Sequence, residues 1–502
     1  MFSYSEFKHD YALSQFKYVE PISDDYRVFV NGSEIPVYTC RISKYPFNRV
    51  WPGFQRPYDQ SEQASYVNIV SDEEITLEVI VNRKYEKILI KPYSKKIGFS
   101  EEGGRVRFSL RENGQFVLEA DGYHHCLYIF NSKPIAAPEK EEVTHFFGPG
   151  IHFPGKIALK SGDRVYIDKD ALVFGWIYAE NAEDIRIFGN GVLDSGNEER
   201  VYIHCYEAFT NGNLKFYDCK NLNIEGIAVK NSAIWCVNLF GCEGVTLDNI
   251  KVFGQWRYNT DGIDIVNSKD VKIVNSFVHS FDDTVTVKGI DRYIERDCEN
   301  ICVENSVLWC DWGRCLEIGL ETACREYKNI VFKNCDILRS GGIALDIQNG
   351  DCADVHDIIF TDINIEFNAF DTPAVYQSSD NMRYEKENEV EIPTLINISN
   401  PPFRNEDNKK LWGIPGADYE SIGKAGCHGT AHDVIFKNIN IYYDEGLPRD
   451  NGKPVIKMCF YSFFPEIRYS GISVENVFVN GERLKKEDVK FEQLTVDGFD
   501  FK

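Results

Sequence analysis

The chain of 502 residues lacks an apolar run of about 18 residues, the length that spans a bilayer, so no membrane span is expected. It also lacks an excess of positive charge: the formal net charge is −23, which disfavours nucleic acid and anionic membranes as partners. Its first residues lack the basic and apolar regions of a signal peptide, which favours a cytoplasmic location unless a signal was removed. An acidic sugar polymer stays possible, because a local site can oppose the global field.

The 15 cysteines include no CxxC pair, and their number is odd. Several of them lie inside apolar repeats, so we interpret the set as small, reduced, buried hydrophobes. Disulfides and metal sites are the alternative, and a reduced set agrees with a reducing compartment. The histidines at 124–125, and at 428 and 432, come without an evident third ligand. We therefore expect no metal and no cofactor.

Residues 1–140 have no long helical period and alternate instead as short strands between turn signals. The segments 75–81 and 105–108 are examples, and Asn31-Gly32 is typical of a tight hairpin. This pattern predicts an N-terminal antiparallel β-sandwich domain. The segment 51–60 is rich in aromatic residues, proline and glycine, which predicts a rigid loop, either structural or in contact with substrate.

From residue 141 the sequence pattern changes to a repeat of eight residues. Apolar residues occupy positions one, three, usually six, and eight of the repeat, and asparagine occupies position five. The copies are 222–229, 245–252, 271–278, 301–308, 330–337, 358–365, 434–441 and 472–479, with Gly226 and Asp362 in the asparagine column. Two alternating strands around a fixed asparagine indicate a bend, where asparagine tolerates left-handed backbone and bonds to neighbouring copies. The repeat predicts a right-handed parallel β-helix over 141–502, with an insertion at about 370–430.

Three acidic residues, Asp261, Asp282 and Asp283, precede strand-like alternations on two successive turns. Aligning these alternations places Asp261, Asp283 and Arg314 in one column, with Asp282 one residue earlier. Neighbouring strands lie about 4.8 Å apart, so the carboxylates must be close. Such a cluster indicates either paired-carboxylate sugar chemistry or, as the main rival, calcium binding. The same alternation turns one further column outward, namely Asp264, Thr286, Glu317 and Asp346.

The segment 259–262, Asn-Thr-Asp-Gly, and the pair 282–283 one turn later resemble glycoside hydrolase family 28, the polygalacturonases. The segment 185–194 is similar to the one that precedes them there, and the resemblance covers roughly 145–365. A β-sandwich ahead of the helix resembles the related family 49, the dextranases. The resemblance implies an inverting hydrolase in which Asp282 is the general acid and Asp261 and Asp283 hold the attacking water. Inverting pairs stand about 6.5–9.5 Å apart, and a neighbouring carboxylate raises the pKa of the acid.

Two positions depart from that family. Gly313-Arg314-Cys315 stands where polygalacturonases have Gly-His-Gly, and Asp346-Ile347-Gln348 stands where they have the Arg-Ile-Lys that clamps galacturonate. Either Lys288 and Arg314 bind an acidic group from another column, or Glu317 and Asp346 bind neutral hydroxyls. Arg314 is equally well a buffer of the surrounding acids. The residues expected to contact substrate are Asn259, Lys288, Trp312, Arg314, Glu317, Asp346 and Gln348.

These features predict an inverting glycoside hydrolase that cleaves α-linked oligo- or polysaccharides, and exo action if the sandwich and the insertion close one end of the groove. A polysaccharide lyase on the same fold and a non-catalytic carbohydrate-binding β-helix are the alternatives. Aromatic residues flank the carboxylate strands, where stacking on sugars and ordinary packing are both plausible: Trp256, Tyr258, Trp309 and Trp312. The oligomeric state does not follow from the sequence.

Overall fold

The computed structural model describes residues 2–6, 22–44, 61–199, 212–368, 375–376, 385–386, 392–401, 429–464, 466–494, 496–497 and 499–502. These residues form β-strands, turns and short 3-10 helices at Tyr93–Lys95, Lys140–Glu142, Asp291–Tyr293 and Lys486–Asp488. Within these ranges no helix has both the length and the apolar character needed to cross a membrane. The loop predicted at 51–60 and His428 lie outside the described residues.

The first strands form two facing sheets. They are β1 Ser3–Tyr4, β2 Tyr26–Val30, β3 Ser33–Ile35, β4 Tyr38–Ser43, β5 Ser61–Val70, β6 Ile75–Val81, β7 Ile88–Lys91, β8 Phe99–Glu102, β9 Arg105–Leu110, β10 Gly114–Ala120 and β11 Leu127–Ser132. One sheet has the order β3-β2-β6-β9-β8, and the other runs β1-β5-β11-β10-β7 with β4 beside β5. All neighbours are antiparallel except β5 and β11. Alternate apolar residues of both sheets bury one shared core, as the alternation of the sequence predicts.

Most of the second part of the chain is one continuous and almost wholly parallel sheet that coils into a helix. Its strands up to residue 367 are β12 His145–Phe147, β13 Gly150–Leu159, β14 Arg164–Ile167, β15 Ala171–Glu180, β16 Glu183–Gly189, β17 Val192–Asp194, β18 Leu214–Tyr217, β19 Lys220–Glu225, β20 Ala228–Lys230, β21 Val237–Phe240, β22 Glu243–Asp248, β23 Lys251–Phe253, β24 Ile263–Val266, β25 Lys269–Val274, β26 Phe277–Ser280, β27 Val285–Gly289, β28 Cys298–Glu304, β29 Val307–Cys310, β30 Arg314–Thr322, β31 Glu326–Lys333, β32 Asp336–Arg339, β33 Ile343–Gln348 and β34 Asp354–Phe367.

The later strands include those that complete the coil and two hairpins outside it. They are β35 Val375–Tyr376, β36 Glu385–Lys386, β37 Thr394–Ser399, β38 Thr430–Tyr443, β39 Arg449–Asp450, β40 Lys453–Pro454, β41 Ile456–Tyr461, β42 Tyr469–Val479, β43 Glu482–Arg483, β44 Val489–Leu494, β45 Val496–Asp497 and β46 Asp500–Phe501. The pairs β35–β36 and β39–β40 are separate hairpins. The insertion predicted at about 370–430 needs a correction, because β37 lies within it and pairs in parallel with β33 and β41. Much of the rest of that range lies outside the described residues.

The asparagine column marks one corner of the coil, as predicted. Asn249, Asn275, Asn305 and Asn334 have φ values of 53°, 52°, 54° and 51°, in the left-handed region. Asparagine adopts this conformation at little cost, and its amide bonds to the next turn: Asn334 donates to Asn305. Inward residues of every turn then join one apolar core. The predicted class, a right-handed parallel β-helix preceded by an antiparallel β-sandwich, is confirmed.

The sandwich packs against the side of the helix through an apolar patch and a buried ion cluster. Aromatic rings from both parts meet in the patch, among them Tyr66, Tyr128, Phe253, Phe277 and Trp309. In the cluster, Lys91 lies 3.5 Å from Glu119 and 3.2 Å from Glu366. Arg339 completes it at 2.6 Å from Glu119. The two parts are therefore held by both apolar burial and paired charges.

The cysteines mostly follow the sequence interpretation. In the described part of the chain the free thiols are mostly buried, and many belong to the helix core. Burial raises the pKa of Cys236 and Cys335, so these thiols behave as small hydrophobes. Cys352 departs from the prediction because it is disulfide-bonded.

Candidate active site

The predicted carboxylates lie on one face of the coil, formed by β21, β24, β27, β30, β33 and β37 in parallel register. The outward column is as predicted. Asp264 pairs with Thr286, Thr286 with Glu317, and Glu317 with Asp346. Asn397 of β37 extends it by one turn. All these side chains are buried, so this face is a covered polar ladder and not a solvated surface.

The catalytic candidates lie at the start of these strands. The amide of Gly262 donates to the carbonyl of Asp283, and the amide of Thr284 donates to the carbonyl of Arg314. Asp261, Asp283 and Arg314 therefore occupy successive turns of one column, as the alternation predicted. Asp282 precedes that column by one residue, and the amide of Asp283 donates to its Oδ1 at 3.1 Å.

Gly313 makes room for the paired carboxylates. A Cβ atom built at this position would lie 2.4 Å from Asp283 Oδ1 and 2.7 Å from Asp282 Oδ1. Both carboxyl groups therefore converge on the space beside Gly313. They are closer together than the roughly 6.5–9.5 Å of most inverting pairs, so the predicted separation is not met for Asp282 and Asp283.

Lys288 lies beneath the carboxylates rather than in an open groove. Its side chain is 3% exposed, and Nζ lies 2.6 Å from Asp261 Oδ2, 3.1 Å from Asp264 Oδ1 and 3.4 Å from Asp283 Oδ2. The ring centroid of Trp235 lies 4.0 Å from the same nitrogen. These contacts leave Lys288 poorly placed for the substrate contact that the sequence suggested.

The environment pushes the proton affinities of Asp282 and Asp283 apart. Burial, and then the charge of Asp283, raise the pKa of Asp282 to about 8, against Lys288 and Arg314. Burial also acts on Asp283, but Lys288 and then Arg314 outweigh it, so its pKa lies below the ordinary value. Asp282 thus favours the protonated form, and its neighbour Asp283 favours the ionised carboxylate.

Asp261 and Glu317 behave differently from Asp283. Burial is the main cause that raises the pKa of Asp261 well above its ordinary value, and nearby carboxylates add to it in spite of Lys288. Burial, followed by Asp283, likewise raises the pKa of Glu317. The cation itself keeps its charge: Asp261 and Asp264 outweigh burial and raise the pKa of Lys288.

Arg314 lies at the mouth of the acid cluster, with a side chain that is 34% exposed. Its guanidinium is 3.6 Å from Asp283, 3.7 Å from Glu317 and 3.5 Å from Asp346. Gln348 and Asn397 donate to the two oxygens of Asp346, at 2.7 and 2.6 Å. Arg314 therefore buffers the acids, as one of its two predicted roles requires, and keeps a face toward solvent.

The remaining predicted contacts surround this mouth. Asn259 is left-handed, with φ 60°, and its amide lies 3.5 Å from Asp261 Oδ1. Trp312 stacks on Phe281 and packs beside Tyr258, with centroid separations of 5.8 Å in both cases. Trp309 is instead buried and stacks on His279, so it belongs to the packing between the two parts of the chain.

The weaker metal candidates have carboxylate partners. His124 contacts Glu62 at 2.7 Å, and His125 contacts Asp25 at 3.0 Å. His432 pairs with Asp433. Within the described ranges, no group of three or more His, Cys, Asp or Glu side chains is arranged to hold a metal ion.

Four residues of the site do not follow in this role from the sequence. The alternation turns Asp264 outward but does not reveal its contact with Lys288, and Gly313 stands out in the sequence only as part of a motif. Trp235 precedes Asp261 by one turn in the same column, so register alone indicates it. Asn397 lay inside the range that the sequence assigned to an insertion.

A right-handed β-helix with a trio of buried aspartates on one face defines a polygalacturonase-like glycoside hydrolase. The family model described as "Glycosyl hydrolases family 28" matches residues 144–445, more than half of the chain, and the chain belongs to that family. This confirms the resemblance that the motifs at 259–262 and 282–283 carry.

Curated relatives are similar in sequence at moderate identity. An exopolygalacturonase of Oenothera organensis is 27% identical over 254 residues, which is 46% of this chain and 64% of that protein. Exopolygalacturonase B of Aspergillus niger is 24% identical over 327 residues, which is 59% of this chain and 69% of that protein. The chain thus matches slightly less than two thirds of the length of the first of these relatives.

A solved structure extends the likeness to the whole fold. Dex49A from Penicillium minioluteum matches with a TM-score of 0.62 over 96% of this chain and 95% of its own, at 10% sequence identity. An identity this low shows the fold alone. It includes the sandwich, so the predicted likeness of the N-terminal part to family 49 is confirmed.

Proposed function

We propose that this chain hydrolyses α-glycosidic bonds of an oligo- or polysaccharide with inversion, using Asp282 as general acid. The observation that carries the proposal is the pair Asp282 and Asp283, which face the same space beside Gly313 with pKa values pushed in opposite directions. Two carboxyl groups held in opposite protonation states are what acid and base roles in glycoside hydrolysis require.

In the proposed step, the bond between the anomeric carbon and the glycosidic oxygen breaks as a water oxygen bonds to that carbon. Asp282 gives its proton to the leaving oxygen, and the base takes a proton from the water. Asp283 is the stronger candidate for the base, because its pKa is lowered while that of Asp261 is raised. Asp261 then helps to position the water.

The product anomer tests the stereochemistry. The close approach of Asp282 and Asp283 is nearer to the roughly 5–5.5 Å of retaining pairs, in which the second carboxylate is the nucleophile. Against this, Asp283 is held by Lys288 and by Arg314, two cations that lower its nucleophilicity. Proton NMR of the first-formed product is expected to show the inverted anomer. A retained anomer would instead make Asp283 a nucleophile.

The substrate sugar beside Asp346 is proposed to be neutral. The relatives are exopolygalacturonases, but the family's clamping cations are replaced here by Asp346 and Gln348. Arg314 already shares its charge with three carboxylates, so an added uronate competes with them. Two like charges about 5 Å apart repel by roughly 3 kcal/mol at an effective dielectric of about 20.

Exo action is proposed from the named activities of these relatives. It implies that short products leave from one chain end from the first turnover. Product analysis on defined oligosaccharides by chromatography should show one small product accumulating at constant rate. A ladder of intermediate lengths would indicate internal cleavage instead.

Asp282→Asn is the direct test of the catalytic assignment. The amide keeps the size of the side chain but has no acidic proton to give, so activity on a natural glycoside should fall about 10²–10⁴-fold. Asp297→Asn, on a side chain in the loop before β28, serves as the matched control and should keep wild-type activity. If Asp282→Asn retains more than a few per cent of the wild-type rate, Asp282 is not the general acid.

The lyase alternative makes distinct predictions. A lyase generates an unsaturated product with ultraviolet absorbance, whereas the hydrolase consumes water and generates none. Hydrolysis is also expected to survive EDTA, because Lys288 and Arg314 supply the positive charges around the aspartates. Loss of activity with EDTA and its recovery with Ca²⁺ would favour the lyase.

A further inference from the structure

We propose that Lys288 is a positioning residue, the internal counter-ion that ties Asp261 to Asp283 and so fixes which of the three aspartates carries the proton. The inference rests on the proposed function, since it assigns a role within the acid and base pair. It replaces the substrate contact that the sequence suggested for this lysine.

Burial and geometry carry the first step. Lys288 sits on β27, and its ammonium has three N–H groups that face Asp261, Asp264 and Asp283 at 2.6, 3.1 and 3.4 Å. Its side chain is almost fully enclosed, with Trp235 over the ammonium. A lysine with these partners has no donor left for a sugar, but it joins two successive turns of the catalytic column.

Charge carries the second step. A buried carboxylate is costly unless a cation is close, and breaking such a pair leaves the remaining charge uncompensated. The charged groups that face Lys288 are Asp261 from the segment before β24, Asp264 of β24, Asp283 from the segment before β27, and Glu317 of β30. Asp282 makes no ion pair with Lys288 in the described structure, although it adjoins Asp283 in the chain. The lysine therefore favours negative charge on its three contacts over Asp282.

Arg314 is the second cation of the cluster, and its placement is different. It approaches Asp283 from the exposed side at 3.6 Å, and the same guanidinium contacts Glu317 and Asp346. Asp283 thus lies between two cations, one enclosed and one at the mouth. The enclosed one is screened much less by solvent and salt, so it sets the resting proton distribution before substrate enters.

The pH profile of kcat/KM separates this role from a purely structural one. For the wild type, kcat/KM should depend on pH in a bell-shaped curve. Its acid limb should lie near or below the ordinary aspartate pKa of about 4, and its basic limb near the pKa of Asp282, about 8. Lys288→Met keeps the volume but removes the charge. Because the cation contacts Asp283 directly and acts on Asp282 only from a longer distance, its removal should move both limbs to higher pH by about 1–3 units, the acid limb further than the basic limb.

Three further variants complete the set. Lys288→Arg retains a cation and should return both limbs toward their wild-type positions, even if kcat stays low. Lys230→Met is the matched control: Lys230 is also buried on the helix and lies 3.1 Å from a buried carboxylate, Asp194, outside the aspartate trio. Its loss should leave the limbs unmoved. Lys288→Gln repeats the neutral substitution in case the methionine variant does not fold.

The outcomes are separable. If the wild-type protein hydrolyses no glycoside, the proposed function itself is wrong. Hydrolysis with limbs that do not move in Lys288→Met or Lys288→Gln, while kcat falls, overturns the counter-ion role and leaves a structural one. If neither neutral variant folds, the wild type decides: an acid limb above about pH 5 shows that Asp283 is not held ionised and overturns the proposal.

Discussion

At the scale of single residues, two aspartates adjacent in the chain acquire opposite proton affinities. Asp282 points into a buried space next to the charge of Asp283, which raises its pKa to about 8. Asp283 forms ion pairs with Lys288, which lies beneath it, and with Arg314, which lies at the mouth of the site. Neighbours in sequence therefore differ because successive side chains face different partners. The division of acid and base roles follows from the packing of two cations around one of them.

Gly313→Ala is expected to reduce kcat at least about 100-fold, because the new methyl group would occupy the space on which both carboxyl groups converge. The substitution adds no charge and requires no unusual backbone angle at this position, so it acts as a steric probe. Gly98→Ala is the matched control, since no atom lies within 4 Å of a Cβ at Gly98. Wild-type activity in Gly313→Ala, measured with a natural glycoside, would contradict the site geometry.

At the scale of the elements, two ladders run along the coil. The asparagine ladder turns the chain at one corner, and the outward polar ladder on β24, β27, β30 and β33 lies under the site. Each ladder repeats one residue type or one polarity at the same position of successive turns. A single turn cannot satisfy its own amides, so each ladder stabilises the coil only when several turns are stacked.

Asn305→Ala is expected to lower the free energy of unfolding by about 1–2 kcal/mol, because alanine pays for the left-handed conformation that asparagine tolerates at φ 54°. The same substitution removes the acceptor for the amide of Asn334. Asn305→Gly is the matched control: it loses the same amide but accepts positive φ, so it should melt above the alanine variant. Equal melting temperatures for the two variants would show that backbone conformation is not what the column provides.

At the scale of the whole molecule, the sandwich is fastened to the helix beside the site-bearing face. Lys91 and Glu119 come from the sandwich, while Arg339 and Glu366 come from the helix. Tyr128 of the sandwich also bonds His279, three residues before Asp282, at 2.7 Å. The strand just before the catalytic aspartates, β26, is thus supported from outside the coil.

Glu366 makes this interface sensitive to pH. Burial raises its pKa to about 7, above the ordinary value, in spite of Lys91. The folded state therefore holds this proton more tightly than the unfolded chain, so its stabilising contribution is complete below about pH 4.5 and is lost as pH rises through about 7. Glu366→Gln should shrink the fall in melting temperature between pH 5 and pH 8.

Exposed Glu102 of β8 offers the control for that experiment, and Glu102→Gln should leave the wild-type difference unchanged. An equally large fall in Glu366→Gln and in wild type would show that other buried acids, and not the interface, set the pH dependence.

The substrate prediction also belongs to the whole molecule, because it sums charges from several turns. Catalytic efficiency should be higher on neutral α-linked oligomers than on galacturonate oligomers at matched pH and salt, given Asp346 and Glu317 beside the mouth. Asp346→Ala should raise the efficiency on galacturonate relative to wild type, and Glu326→Ala, at the partly exposed start of β31, should not. Efficient cleavage of polygalacturonate that is unchanged in Asp346→Ala would contradict the electrostatic argument.

The coil and the register of its site follow from local features of the amino-acid sequence. A fixed asparagine between two alternating segments is compatible with one backbone arrangement, two strands joined at a bend. The period of two in the following strands then places Asp261, Asp283 and Arg314 in one column, without any contact between distant parts of the chain. Local pattern suffices there because each turn contacts chiefly the turns before and after it.

The surroundings of those residues, in contrast, depend on contacts between distant parts of the chain. The alternation placed Lys288 near the site but not its burial under Trp235, which comes from a loop two turns earlier. The approach of Asp282 to Asp283 depends on the missing side chain at Gly313, and the strand at Asn397 was hidden inside a segment without the repeat. Periodicity fixes the direction in which a side chain points, whereas the dielectric and the partners around it depend on residues far away in the chain. The charge state of the catalytic pair is therefore a property of the assembled fold.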